Sequence, residues 1–178
     1  MKPPQNMGIP AAILGGGPSL PEDLKKLPTH CMMISVNDHA FYHCQPHVMV
    51  YQDHLRVAPA VANALEDFDV TVVCPWKNSH VELPKGWWDG NMSSALATWY
   101  ALYIGCDPVI LCGMDCYQGE EKYCHPRPGF DHPIFRVPVK KHQEKWREAF
   151  TKCPHPERIK AMSGPLVDVF GKYERSKT

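Results

Sequence analysis

The chain has 178 residues and a mass of 20.2 kDa, which is the size of one ordinary domain. Its 19 basic and 19 acidic residues give a formal net charge of zero, which excludes the basic excess typical of a broad nucleic-acid-binding surface. The 44% hydrophobic and 21% charged content excludes intrinsic disorder, and the longest nearly apolar stretch, residues 96–106, is too short to span a membrane. We therefore expect a soluble cytoplasmic protein without a signal peptide, with a single domain at residues 9–171 and loose ends at 1–8 and 172–178.

Short apolar runs alternate with helical patterns along the chain. In chain order, the patterns predict a strand at 11–15, a helix at 21–27, strands at 32–36 and 48–51, a helix at 57–65, a strand at 70–74, a helix at 91–104, a strand at 109–112, a helix at 139–152, and a last strand at 159–162 or 166–170. Asn91 or Ser93 can cap the third helix, and Gly105 is placed to end it. Because the apolar runs are continuous, both faces of the sheet should be covered. The order predicts an α/β fold, a single Rossmann-like domain with a mainly parallel sheet and helices on both faces.

In such sheets ligands bind beyond the carboxyl ends of the strands, and a glycine turn follows the first strand here. The turn consists of Gly15, Gly16, Gly17, Pro18 and Ser19. It is not a P-loop, because no Gly-Lys-Ser/Thr follows, and it lacks the third glycine of the usual dinucleotide fingerprint. Either it is a tight strand-to-helix turn, or its glycines let the main chain approach an anion. We favour a phosphate-binding turn.

Polar side chains follow three other strands of the predicted sheet. Asn37 and Asp38 follow the second strand, Asp53 follows the third, and Asp115 follows the fifth. Carboxylates at this edge can bind ribose hydroxyls, hold Mg²⁺ between phosphates or act as a base. The sequence leaves these three roles open.

The eight cysteines and ten histidines raise the question of a metal site. In a chain without a signal peptide the cysteines are expected to be free thiols. The richest group contains Cys112, Cys116, Cys124, His125 and His132, but its spacing matches no paired C-x-x-C knuckle. Structural zinc is therefore not expected.

Several motifs together resemble one known superfamily. They are the GGGPSL turn, the ISVND segment, the VYQD segment that ends at Asp53, and the stretch NMSSALATWYALYIGCDPVILCGMDCYQG. This set resembles the superfamily that joins the 6-hydroxymethylpterin diphosphokinase-like proteins (the former DUF115 domain) to the bacterial CMP-sialic-acid-dependent sialyltransferases. The resemblance covers residues 13–150; LCGMDCYQG is more similar to the sialyltransferases and VYQD to the diphosphokinase-like proteins.

The resemblance implies a set of nucleotide-binding residues. In this set the glycine turn lines the phosphates, Asn37 contacts the phosphate or sugar, two serines complete the pocket, and an aspartate lies by the ribose or base. The residues concerned are Gly15, Gly16, Gly17, Pro18, Ser19, Asn37, Asp38, Asp53, Ser93, Ser94 and Asp115.

The resemblance also implies catalytic residues. In the sialyltransferases a histidine in the loop after the fifth strand is the general base, and tyrosines steady the leaving phosphate. This region of the chain contains His125, His132 and His142, of which we select His132, together with Tyr117 and Tyr123. Asp115 completes the predicted catalytic set.

The resemblance predicts a small nucleotide-dependent transferase. It moves a sugar from a CMP-sialic-acid-like donor to a small-molecule or glycan acceptor, or a diphosphate from ATP to a hydroxymethyl group. In the second case Asp38, Asp53 and Asp115 would hold Mg²⁺. Three carboxylates favour a metal, whereas a histidine with two tyrosines favours a reaction without one, so both remain open.

The alternative is a non-catalytic nucleotide-binding sensor or assembly module. It is favoured by the short segment over the site, because enzymes of this kind need to exclude water from the reacting centre. A homo-oligomer would let so short a chain close its site. Small free-standing members of the superfamily also raise the expectation of a phage protein.

Overall fold

The computed structural model describes residues 8–52, 69–76, 79–83, 92–126, 131–153 and 155–175. The predicted helix at 57–65, Asp53 and Asn91 lie outside this part of the chain. The strands are β1 (Ala11–Leu14), β2 (Met32–Val36), β3 (Val48–Val50), β4 (Thr71–Val73), β5 (Val109–Cys112) and β6 (Ile159–Ala161). The helices are α1 (Leu20–Leu24), α2 (Ser93–Tyr103), α3 (Val139–Ala149) and α4 (Val167–Phe170), with 3₁₀ turns at His39–Tyr42, Pro133–Arg136 and Pro156–Arg158.

Two details differ from the predicted elements. Of the two positions predicted for the last strand, 159–162 contains β6, whereas 166–170 is largely helical. The predicted capping role of Ser93 is wrong, because Met92 occupies the N-cap position and Ser93 is already helical. The Ser93 hydroxyl instead accepts a hydrogen bond from the Gln52 main-chain N–H at 3.1 Å.

The six strands form one parallel sheet in the order β4-β3-β2-β1-β5-β6. The chain runs outward from β1 to β4 and then returns to place β5 on the other side of β1. The strand order therefore reverses between β1 and β5, which is where doubly wound sheets form a ligand crevice. At this point Leu14 is paired with Cys112, so that the turns after the two strands start side by side.

Helices cover both faces of the sheet. Ala11 and Ile13 of β1 belong to the apolar cluster that contains α2 and Trp146 of α3, whereas Ala12 and Leu14 pack with Leu20 of α1. All four β1 residues are fully buried. Burial on both faces explains why the strand sequences do not alternate, and it confirms the predicted α/β fold.

The C-terminal segment continues along the edge of the sheet. Lys172 forms an isolated parallel bridge with Ala161 of β6, and the Tyr173 N–H donates to the Ala161 carbonyl oxygen at 2.8 Å. Residues 172 and 173, which the sequence places in the loose tail, thus contact the strand. Within the described ranges, no helix has the length and apolar character needed to cross a bilayer.

Candidate functional site

A cavity of about 200 Å³ lies at the switch point between β1 and β5. The sequence predicts nine of the residues that line it, and they come from the turns after β1, β2 and β5 and from the start of α2. They are Gly15, Gly16, Gly17, Asn37, Ser93, Ser94, Asp115, Tyr117 and Tyr123. A larger and more open cleft of about 620 Å³ lies near Lys26 and Tyr173 and contains none of the predicted residues. We therefore take the switch-point cavity as the candidate site.

Four predicted residues lie elsewhere. Pro18 and Ser19 do not line this cavity, and Asp38 is a buried residue at the N-cap of the 3₁₀ turn that follows β2. His132 caps the 3₁₀ turn at Pro133–Arg136. Asp53 lies outside the described residues.

The three glycines of the turn are closely packed against the chain's own groups. A Cβ atom on Gly15 would lie 2.6 Å from the Gly113 carbonyl oxygen, and one on Gly16 would lie 2.6 Å from Nδ1 of His39. A Cβ atom on Gly17 would overlap Oδ2 of Asp115. Glycine is therefore needed at these positions for close approach between the loops at the switch point.

Asp115 is held against the glycine turn by Ser19. Its Oδ2 accepts a hydrogen bond from the Ser19 main-chain N–H at 3.0 Å and lies 2.8 Å from the Ser19 hydroxyl. The contact joins residues 96 positions apart and couples the turn after β1 to the turn after β5. This contact explains why Ser19 and Asp115 lie close together although they belong to different turns.

Asp23 stabilises the contact between these two turns through its own hydrogen bonds. Its Oδ2 accepts hydrogen bonds from the Gly113 N–H at 3.0 Å and the Ser163 hydroxyl at 2.8 Å, and it lies 3.2 Å from the Ser19 hydroxyl. Only 1% of Asp23 is exposed. Burial raises the pKa of Asp23, the hydrogen bonds oppose the shift, and the charge of Asp115 adds to it. A single buried carboxylate thus connects α1 to the turns after β5 and β6.

Asn37 brings a polar amide to the cavity from the end of β2. Its φ of 55° is in the left-handed region, which asparagine tolerates better than most residues. The main chain is held there by the Asn37 N–H, which donates to the Val50 carbonyl at 2.9 Å, and by the Ser35 hydroxyl, which donates to the Asn37 carbonyl at 2.7 Å. Its Oδ1 is buried without a hydrogen-bond partner in the described part of the chain. A ligand hydroxyl or amino group could satisfy it.

The N-terminus of α2 forms another wall. Met92, Ser93 and Ser94 line the cavity, and the first intrahelical hydrogen bond runs from the Leu96 N–H to the Met92 carbonyl. The N–H groups of the first turn therefore have no partner within the helix, and the positive end of the helix dipole lies beside the cavity. Both features favour an anionic ligand.

The segment after β5 forms an aromatic wall of the cavity. Tyr117 has ring contacts with Tyr123, Phe135 and His142, at centroid distances of 6.0, 5.1 and 5.7 Å. Tyr117 has a φ of 58°, an uncommon conformation for an aromatic residue and one that is often found at functional sites. Lys122 donates from Nζ to the Tyr117 carbonyl at 3.0 Å, and among the described lining residues it is the only lysine or arginine.

His142 enters the cavity from α3. It is 6% exposed, and its Nε2 is buried without a hydrogen-bond partner among the described residues. Burial lowers the pKa of His142, Lys145 acts in the same direction, and hydrogen bonding to the main chain at Ile134 and Val137 opposes the shift. Since Nε2 has no such bond, we assign the proton of the neutral ring to Nδ1, on the side of these main-chain groups. Nε2 of the neutral ring therefore has a lone pair that can accept a proton.

His132, the base selected from the sequence, has the opposite arrangement. Its Nδ1 accepts a hydrogen bond from the Ile134 N–H at 3.1 Å. A neutral imidazole that accepts at Nδ1 carries its proton on Nε2, so that this nitrogen donates and does not accept.

The thiol and metal chemistry of the site is limited by burial and placement. All eight cysteines are free. Cys116 lines the cavity, but burial raises its pKa to about 11, which keeps it as a thiol at neutral pH. Throughout the described ranges, no three His, Cys, Asp or Glu side chains come together as a metal site would require.

Comparison with solved structures identifies the fold. The sialyltransferase CstII from Campylobacter jejuni in complex with cytidine-5'-monophosphate is 14% identical, with 95% of this chain and 88% of that chain covered and a TM-score of 0.56. This chain shares the α/β fold of CstII. The CstII complex with CMP-3FNeuAc is 15% identical, with 91% of this chain and 85% of that chain covered and a TM-score of 0.56. A complex of CST-II with a trisaccharide acceptor and CMP is 13% identical, with the same two coverages and a TM-score of 0.51.

At the level of sequence, no protein-family model and no curated protein matches the chain. The similarity is therefore one of fold.

Sequence reasoning gave no role in this site to His39 and Lys122, two basic residues that line the cavity. His39 follows the predicted residue Asp38, and Lys122 precedes the predicted residue Tyr123. Their position next to predicted site residues was the sequence feature that could have identified them. His142 was among the three candidate histidines but was not selected.

Proposed function

We propose that this protein is a glycosyltransferase that moves a sugar from a CMP-activated donor to an acceptor hydroxyl. The observation that carries the proposal is the cavity at the switch point, where Tyr117, Tyr123 and Lys122 line the same space as the N-terminus of α2 and the buried His142. Structures of the same fold in complex with CMP and CMP-3FNeuAc support a donor of this type.

In the proposed reaction His142 is the general base. Nε2 accepts the proton of the acceptor hydroxyl while the acceptor oxygen forms a bond to the anomeric carbon of the donor sugar. The bond from the anomeric carbon to the phosphate oxygen breaks, and CMP leaves with the electron pair. The lowered pKa of His142 keeps the ring neutral, and therefore able to accept a proton, at neutral pH.

The departing phosphate gains negative charge during the reaction. It therefore needs hydrogen-bond donors whose interaction with it becomes stronger as this charge develops. Donors available in the cavity lining include Lys122, Tyr117, Tyr123 and the first N–H groups of α2. The glycine turn and Asn37 would hold the nucleotide beside them.

Diphosphate transfer from ATP has less support from the geometry. Of the three carboxylates predicted to hold Mg²⁺, Asp115 lines the cavity and is hydrogen-bonded to Ser19, Asp38 does not line it, and Asp53 lies outside the described residues. Glycosyl transfer without a metal uses the residues that the cavity brings together.

A first prediction concerns nucleotide binding. CMP at one hundred times its dissociation constant is expected to add about 2.7 kcal/mol to the free energy of unfolding, which raises the Tm by about 5–10 °C. The shift should not require Mg²⁺. A thermal-shift panel of CMP, cytidine, UDP, ADP and ATP, each with and without Mg²⁺, measures it, and Lys122→Met should reduce the CMP shift while Lys140→Met on the exposed side of α3 should not.

Two outcomes of that panel, and one of a turnover assay with a CMP-sugar, would contradict the proposal. A Mg²⁺-dependent shift with ATP alone would point to diphosphate transfer. The absence of any shift would remove the nucleotide from the proposed function, and binding of CMP without turnover of any CMP-sugar would indicate a non-catalytic module.

A second prediction concerns the tyrosine hydroxyls. Tyr117→Phe and Tyr123→Phe keep the rings and remove one donor each, so each should lower kcat by about tenfold with a smaller change in KM. Tyr173→Phe, in the cleft away from the site, is the matched control. Steady-state kinetics with a CMP-sugar tests this; unchanged kcat in both variants would rule out a role for the hydroxyls in the departure of CMP.

A further inference from the structure

Two buried histidines form a pair beside the glycine turn. Nδ1 of His39 and Nε2 of His125 are 2.8 Å apart, although the residues are separated by 86 positions in the chain. His39 is 7% exposed and His125 is 6% exposed. His39 also lines the cavity, and a Cβ on Gly16 would lie within 2.7 Å of its Nδ1, Cε1 and Cγ atoms. The imidazole is thus packed directly on the main chain of the turn.

Aromatic stacking fixes the orientation of both rings. Tyr123 stacks on His39 with a centroid distance of 5.2 Å and an interplanar angle of 21°. Tyr42 stacks on His125 with a centroid distance of 4.1 Å and an angle of 3°, and it separates that ring from solvent. The two stacks hold the ring planes in the orientation that brings Nδ1 of His39 to Nε2 of His125.

The short contact requires one proton between the two nitrogens. If His125 donates from Nε2, then Nδ1 of His39 is the acceptor and the His39 proton is on Nε2. If His39 donates from Nδ1, its Nε2 becomes an acceptor. Because Nδ1 faces His125 in both cases, a hydrogen bond from His39 to a ligand in the cavity has to come from Nε2.

We propose that His39 is a phosphate-binding residue whose Nε2–H donates to a non-bridging oxygen of the nucleotide phosphate, and that His125 is the positioning residue that keeps the proton on that nitrogen. This inference rests on the proposed function, since it assumes a phosphate in the cavity. Phosphate oxygens only accept hydrogen bonds, so a phosphate ligand selects the arrangement in which His125 donates. The same logic fixes the tautomer of histidines that bind metals or substrates elsewhere, where the second ring nitrogen is held by a fixed partner.

The charges around the pair are consistent with an anionic ligand. Lys122 lines the same cavity, and the Asp115 carboxylate that shares it is already hydrogen-bonded to Ser19. On the outer side, Glu121 and Cys124 line a surface groove together with His125. A phosphate would therefore meet a lysine and an imidazole donor on one wall, with the tyrosine that stacks on His39 beside them.

The proposal is tested by measuring the affinity of CMP, cytidine and inorganic pyrophosphate for a set of variants by calorimetry. His39→Phe keeps a ring against Gly16 and removes the donor, so it should weaken CMP and pyrophosphate about tenfold or more while cytidine affinity is unchanged. His39→Gln, which retains an N–H donor, should recover part of the loss. His43→Phe, at an exposed position directly after the same 3₁₀ turn, is the matched control and should bind like the wild type.

The role of His125 has its own readout. The ¹⁵N shifts of the histidine rings should show the His39 proton on Nε2 in the wild type and in His125→Gln, whose side-chain amide can donate to Nδ1. In His125→Phe the proton should divide between the two nitrogens, with weaker CMP binding. A His39 proton on Nδ1 in the wild type would overturn the proposal without any reference to the nucleotide.

The outcomes separate this inference from the proposed function. If the wild type and His39→Phe bind CMP equally, the histidine pair has no role in phosphate binding and the glycosyltransferase proposal stands. If pyrophosphate binds in a His39-dependent manner and CMP does not bind, the phosphate site is supported and the nucleotide is wrong. If neither CMP nor pyrophosphate binds, both the role of His39 and the proposed function are overturned. Thermal melts of the His39→Gln and His125→Gln variants provide the check that the fold is intact.

Discussion

Replacing His142 with glutamine is expected to lower the rate of glycosyl transfer by about 10²–10⁴-fold, because the Nε2 lone pair placed to accept the proton of the acceptor hydroxyl is lost. The Nε2 atom of His142 is buried in the cavity without a partner among the described residues, and the ring is anchored on its other side through the main chain at Ile134 and Val137. The fall should appear in kcat with little change in CMP affinity, since the donor nucleotide does not depend on this proton transfer. Steady-state kinetics with a CMP-sugar, together with calorimetry of CMP, measures both quantities.

The pH dependence gives an independent readout. Burial lowers the pKa of His142 below its ordinary value of 6.5, so the base stays neutral at neutral pH and becomes protonated only at a pH below 6.5. The acid limb of kcat/KM should therefore fall below pH 6.5 in the wild type and be absent in His142→Gln.

The matched control is His132→Gln. His132 accepts the Ile134 N–H at Nδ1, and its Nε2 carries the proton, so its loss should change kcat by no more than a few-fold. If His132→Gln abolishes transfer and His142→Gln does not, the selection made from the sequence is right and the assignment argued from the cavity is wrong.

The second large effect is expected on stability. Asp23→Ala should lower the free energy of unfolding by about 3 kcal/mol, because the Gly113 N–H and the Ser163 hydroxyl lose their buried acceptor. For a chain of this size that is a fall in Tm of about 6–12 °C. Glu22→Ala, an exposed substitution in the same helix that removes only a surface ion pair with Lys25, should leave the stability almost unchanged, because solvent screens the pair. Chemical denaturation of the three proteins measures the difference.

Asp23→Asn separates the acceptor from the charge. The amide oxygen still accepts, so the substitution should be milder than Asp23→Ala at pH 7. Because burial raises the native pKa of Asp23 above its ordinary value of 3.8, the native state binds this proton more tightly than the unfolded chain does. The contribution of the group to stability is therefore complete below pH 3.8 and declines as pH rises through the native pKa, and this decline should be missing in Asp23→Asn. Equal losses in the alanine and asparagine variants would contradict the role of Asp23 as an acceptor.

Local patterns were sufficient to predict most of the fold. The runs at β2 and β5 are continuous apolar segments bounded by polar or proline-containing sequence, and the structure places both strands at the predicted bounds. Where the pattern was short, it was ambiguous: residues 166–170 are apolar enough for a strand, but β6 precedes them at the edge of the sheet and Val167–Phe170 is helical. The capping of α2 was also misjudged, because the Ser93 hydroxyl has a partner on a distant segment.

The sequence by itself determined the α/β fold, the strand ends at which the site lies and the residue types that line it, because these follow from periodicity and turn chemistry over a few neighbouring residues. Only the tertiary structure decided what each side chain does there. His132, His125 and His142 lie within one region of the chain, yet one caps a turn, one is paired with His39 and one lines the cavity with a free lone pair. His132 is bonded to Ile134, only two residues away, but the pairing of His125 depends on His39, 86 positions away in the chain. No local pattern encodes a contact over such a distance.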